Sequence, residues 1–164
     1  MPLLPPTLTE GLIALDVPPT PPTAPAMAQA WHSAWWSYFS GMVALNPATL
    51  PAAQAVSEAA FVPTLIPGLL PVPAPGAFFI ALETAITLAI AASTLPAFLD
   101  PLVAIAAIPA PPGLAALLLP VVPIGLISPT SAPPRVFMAT AIDLWTRTNT
   151  FMPPPPATVP LPFT

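Results

Sequence analysis

The chain has 164 residues, 55 % hydrophobic and only 5 % charged, with six acids, two cationic side chains and a net charge of −4. An average soluble domain carries roughly 25 % charged residues, so this composition excludes an ordinary free-standing soluble surface. It also excludes nucleic-acid binding, which draws its affinity from clustered Lys and Arg.

The 31 prolines fall into clusters, and the intervals between clusters read as helices. Residues 1–26 hold Pro2, Pro5, Pro6, Pro18, Pro19, Pro21, Pro22 and Pro25. They read as an extended, polyproline-like arm, whose short apolar piece Leu12, Ile13 and Leu15 suits docking on a neighbour. Residues 27–152 read as a helical body.

The first helix is expected from about Pro25 to Val43, with Thr23 as N-cap and Pro25 in the first turn. Met27, Trp31, Trp35, Tyr38 and Met42 follow helical spacing and draw one apolar stripe. Gln29, Ser33, Ser37 and Ser40 mark another face. Trp31, Trp35, Trp36 and Tyr38 are candidates for a core or subunit interface, with an aromatic belt at a membrane surface as the alternative.

A second helix starts after Thr49 and is expected to stop by Val62, because Pro63 and Pro67 follow. Residues 67–76 then read as an extended linker through Pro71, Pro73 and Pro75. The third helix, about Ala77 to Leu95, places Ala81, Ala85 and Ala89 on one face, where small side chains let another helix come close. It is also the one stretch able to cross a bilayer. Its Glu83 weighs against a span by roughly 2.5–3.5 kcal/mol if placed centrally.

Asp100-Pro101 reads as a cap and first-turn proline for a short helix ending near Ile108. Residues 109–134 read as apolar and irregular, with a helical turn or two at about Leu114 to Leu119, wedged between subunits. Val121, Val122 and Ile124 form the only plausible short strand. A final helix over about Pro134 to Asn149 carries Phe137 and Trp145 as interface candidates and an Asp143/Arg147 pair one turn apart. The tail, residues 153–164, returns to polyproline. Leu69-Leu70-Pro71-Val72 and Leu118-Leu119-Pro120-Val121 echo each other without a fixed period, so a true repeat is not the expectation. The expected fold is mainly α, several short helices joined by extended proline-rich segments with extended arms at both ends.

Little chemistry is available. His32 is the only histidine and cysteine is absent, so a zinc site lacks its ligands. The acids never come closer than six residues in sequence, and no lysine exists for a phosphate loop or Schiff base. No metal, cofactor or catalytic residue is expected. The chain therefore reads as a non-enzymatic structural subunit buried in a large assembly, its partners other protein chains, as in virus particles, phage tails or injection-type machines by analogy. Its expected origin is cytoplasmic, since no basic n-region precedes an apolar run. The alternative is a membrane-embedded accessory subunit spanning at about residues 77–95.

Overall fold

The computed structural model describes residues 3, 5–16, 23–70, 75–119, 132–156 and 159–164. Among these residues the α-helices are α1 (Pro5–Ala14), α2 (Ala24–Phe39), α3 (Leu50–Leu65), α4 (Pro75–Ser93), α5 (Leu114–Leu118) and α6 (Ala132–Arg147). Three short strands, β1 (Ala106–Ile108), β2 (Thr150–Met152) and β3 (Leu161–Pro162), form an antiparallel sheet in the order β1-β2-β3. The protein is mainly α. Each helix packs on the next in sequence, and α6 closes back on α1.

The N-terminal segment departs from the extended arm expected of it. Pro5 and Pro6 sit in the first turn of α1, where the missing N–H groups have no intrahelical acceptor to lose. Leu8, Leu12 and Leu15 recur at helical spacing and are buried against α2 and α6. Gly11 permits that approach: a Cβ there would lie 3.0 Å from the Cβ of Ala34 on α2.

α2 begins as expected, with the Thr23 hydroxyl accepting from the Ala26 N–H. It carries the aromatic centre of the core, where Trp35 stacks on Phe39 at 4.6 Å between ring centroids. α3 runs past Val62 to Leu65 with Pro63 inside it. Pro63 can be accommodated because it lies exposed beside an exposed Ala59. The carbonyl that the proline ring leaves without a donor belongs to Ala59, on the exposed side of the helix. The turn after α3 seats Gly68 against α4, where a Cβ would come within 2.7 Å of Ala81.

The expected helix at Asp100 to Ile108 is replaced by a single turn and a strand. The Asp100 carboxylate accepts from the Leu102 N–H and its carbonyl from Val103 and Ala104, which closes the turn. The Ile105 N–H then bonds to the Met152 carbonyl and draws the chain into the sheet. Ala106 and Ala107 have no strand preference of their own, so pairing with β2 decides their state.

The C-terminal tail also contributes structure. Phe163 is buried, stacks on Phe151 at 4.2 Å and donates its N–H to the Asn149 carbonyl. Asn149 itself closes α6: its amide donates to the carbonyls of Trp145 and Thr146 and its side-chain oxygen accepts from the Ala110 N–H. The expected strand run at Val121, Val122 and Ile124 and the linker prolines Pro71 and Pro73 lie outside the described residues.

Candidate interaction surface

Most of the charges are used inside the molecule. Arg135 at the start of α6 forms two hydrogen bonds to Asp16, just past α1, at 2.7 and 2.6 Å, and its guanidinium lies 5.4 Å from the centre of the Trp31 ring. Arg147 at the end of α6 holds Asp143 at 3.0 Å and reaches back to the Leu3 carbonyl. The two arginines thus fasten α1 antiparallel to α6 at both ends.

Tyr38 completes the second cluster by donating its hydroxyl to Asp143 at 2.6 Å. Burial, and then the carboxylate acceptor, push the phenol far above its ordinary titration range.

Glu83 has a specific structural role. Its two carboxylate oxygens accept from the N–H groups of Gly113 and Ala115, each at 2.7 Å. It is the N-terminal cap of α5, supplied from α4, and the arrangement ties those two helices together.

Glu10 alone among the charged residues is exposed, and Glu58 is half-buried. Among the described residues, sixteen large apolar side chains are exposed, so the outer surface is dominated by groups that water solvates poorly. On α4 the outward positions are Ala77, Ile80, Thr84, Leu88 and Ala91, with Leu95 continuing the line. Ile80 is 62 % exposed and Leu88 44 %. On α6, Val136, Phe137, Thr140 and Leu144 face outward, Leu144 at 60 %.

The hydroxyls on these two faces bond back to their own helices. Thr84 donates to the Ile80 carbonyl and Thr140 to Val136, each four residues back on its own helix. Both faces can therefore lose their water without stranding a hydroxyl proton. The outward face of α2 is different, with neutral polar Gln29, Ser33 and Ser37.

Most of the contact candidates drawn from the sequence are occupied within the chain. Trp31, Trp35, Trp36, Tyr38, Ala85, Ala89 and Trp145 are buried in the core, and Ala81 lies half-buried against Gly68. The small-residue face of α4 supplies buried positions inside the molecule. Phe137 alone of the nine is exposed, at 43 %. The outward apolar residues Ile80 and Leu88 are the ones that reasoning from sequence passed over. Their signal was present in α4, whose apolar residues are not confined to one side, a pattern that calls for cover on more than one side.

His32 lies 3.0 Å from the Ser57 hydroxyl, a pairing that the sequence did not suggest. Both residues are sealed from solvent, the imidazole among Trp35, Trp36 and Phe61. Burial lowers the His32 pKa below its ordinary 6.5, against a smaller opposing effect of Glu58. A half-open cleft of about 470 Å³ is lined by Thr7, Ser37, Ser40 and Asp100 among others. There Ser37 is committed to the Ser33 carbonyl and Asp100 to its own turn. No group of three metal-ligating side chains occurs among the described residues. No family model, curated protein or solved structure matches this chain.

Proposed function

We propose that this chain is a non-enzymatic structural subunit of a large assembly, its outer surface covered by other protein chains. One observation carries the reading. Six of the eight charged side chains are engaged in clamps and caps within the chain, while the exterior keeps exposed apolar side chains and hydroxyls bonded to their own helices. A free-standing domain is kept dispersed by charges over about a quarter to a third of its surface. A surface with so little charge fits a chain that meets its neighbours soon after folding.

A membrane-embedded role is the second reading, favoured by Gly76–Ser93, a window of 18 residues with mean hydropathy 1.7. Against it, the inner side of α4 packs on α3, and Glu83 is held by two backbone N–H groups of the α5 segment. The other helices have 16 residues or fewer, short of the roughly 20 a span requires.

The test is fractionation of native source material without detergent, followed by mass measurement of the particle that holds the chain. A large soluble particle is the expected result. Recovery only in the membrane pellet, released by detergent and not by alkaline carbonate, overturns the reading.

A further inference from the structure

We infer that Val159–Thr164 is an exchangeable segment: in the assembly it leaves the socket on its own chain and fills the same socket on a second copy, linking neighbouring subunits. The inference rests on the proposed reading that protein chains cover this molecule, and it names one of them.

The socket itself selects the occupant. It lies between the end of α2, the segment that follows it, and β2. Phe163 is fully buried there, stacked on Phe151 at 4.2 Å and tilted against Phe39 at 6.2 Å between ring centroids. Its N–H donates to the Asn149 carbonyl, and the Thr164 carbonyl accepts from the Val43 N–H. Pro162 and Leu161 pair with Thr150 and Phe151 across the sheet. The arrangement is a strand added to β2 with an aromatic anchor beside it. What fits is therefore seen directly, an extended Leu161-Pro162-Phe163-Thr164 segment. Every further copy of the chain carries that segment, and an arbitrary uncharged protein does not.

The attachment is narrow. Of the six residues Phe163 alone is buried, with Val159, Pro160, Leu161, Pro162 and Thr164 exposed. β3 packs chiefly on β2, so the helices keep their contacts with one another when the segment leaves. Where it meets the body a cavity of about 50 Å³ remains, lined by Met42, Val103, Leu161 and Pro162 among others. Well-packed interiors leave few voids larger than a water molecule, which marks this joint as looser than a core.

Exchange remakes between copies each contact that it breaks within one, so concentration and not contact energy sets the balance. A tethered segment competes for its own socket at an effective concentration of about millimolar. The dilute chain therefore stays closed. Subunits held side by side in a particle present their segments to one another in that same range, where exchange is no longer outcompeted. The prolines favour it. Pro155, Pro156, Pro160 and Pro162 have restricted backbones, so a released segment stays extended and loses little freedom on entering a second socket. The stretch from Pro155 to Phe163 then reaches roughly 25 Å, enough to cross to a touching neighbour.

The chain has no cysteine, so single thiols can mark the two sides of the joint. Val43 and Thr164 are both exposed, and their backbones share a hydrogen bond. Full-length Val43→Cys and Thr164→Cys chains are mixed at about 1 mM, the tethered range, and treated with a short bifunctional thiol reagent. A chain carrying both substitutions, treated when dilute, links to itself and shows that the reagent spans the joint. The expected result for the mixture is a covalent dimer containing one chain of each kind. An excess of a peptide with the sequence of residues 159–164 suppresses that dimer by about tenfold or more, as a competitor for the socket must. The same peptide carrying Phe163→Ala leaves it unchanged. No mixed dimer, a mixed dimer equally insensitive to both peptides, or a doubly substituted chain that does not link to itself overturns the inference. If the mixed dimer fails while the native chain is still found in a large soluble particle, the exchange is lost and the subunit reading stands.

Discussion

Arg135 donates from Nε and from one terminal nitrogen to the two oxygens of Asp16, at 2.7 and 2.6 Å, across 119 residues of sequence. Both side chains are mostly shielded, at 16 % and 20 % exposure, and the pair sits where α1 ends and α6 begins. The contact is bidentate and planar, so Lys cannot reproduce it. Arg135→Lys is expected to lower stability by about 2 kcal/mol, the scale of a hydrogen bond to a charged group. Thermal melting measures the loss, and limited proteolysis should show the segment before Ala24 cut first. An unchanged cleavage order would mean that leucine packing alone holds α1.

Glu83 caps a helix that has no cap of its own, since Gly113 offers no side chain. Glu83→Ala strands two N–H groups and is expected to cost about 2 kcal/mol. Glu83→Gln keeps one good acceptor and should cost about half as much. Hydrogen exchange at Gly113 and Ala115 reports the effect directly, and equal protection in all three proteins would contradict the capping role.

His32 makes stability depend on acid. Its folded-state pKa lies below the ordinary 6.5, so the unfolded chain takes up a proton before the folded one does. The stability linked to the neutral ring is complete above pH 6.5 and is lost as pH falls from there towards the lowered folded value. Melting temperature should therefore drop over that interval in the wild-type chain, and the drop should be smaller in His32→Gln. Parallel curves for the two proteins would remove the assignment to His32.

Tyr38 acts at the opposite end of the pH scale. Its folded pKa is raised, so the stability it contributes is complete below its ordinary pKa of 10.0 and declines as pH rises above it. Tyr38→Phe removes that alkaline slope together with the Asp143 hydrogen bond, at a cost of about 2 kcal/mol near neutrality. Denaturant melts at neutral and alkaline pH separate the two effects.

Gly68 and Gly113 make a matched comparison. A methyl group at Gly68 meets the Ala81 Cβ at 2.7 Å and the Phe78 Cα at 3.3 Å, whereas one at Gly113 meets nothing within 4 Å. Gly68→Ala is expected to destabilise by about 1–3 kcal/mol through overpacking. Gly113→Ala meets no such overlap and should cost less, about 0.5–1 kcal/mol, the penalty of alanine at a helix N-cap. Equal effects would mean that the turn at Ile66–Leu69 shifts freely off α4.

The mainly α class, the start of α2 at Thr23, the span of α4 and the short turn of helix at Leu114 were legible in the sequence, because apolar spacing and caps are local properties. The helix at Pro5–Ala14 was obscured by proline density, although Leu8, Leu12 and Leu15 already held its spacing. β1 had no local signal to find, since its conformation follows from pairing with a strand some forty residues later.

Composition by itself determined that this chain has too few charges to solvate a free surface, and that the chemistry of its side chains is sparse. Only the tertiary structure decided where those few charges go. Arg135 finds Asp16, Arg147 finds Asp143, and Glu83 finds the start of α5. Apart from the one-turn Asp143 pair, these are contacts between groups far apart in sequence, and no local pattern encodes them. The same packing decided which side of α4 is left over. Both sides are apolar in the sequence, but the side with Leu82, Ala85, Ile86 and Ala89 is the one buried in the core, where α4 packs on α3. Ile80 and Leu88 are left facing outward.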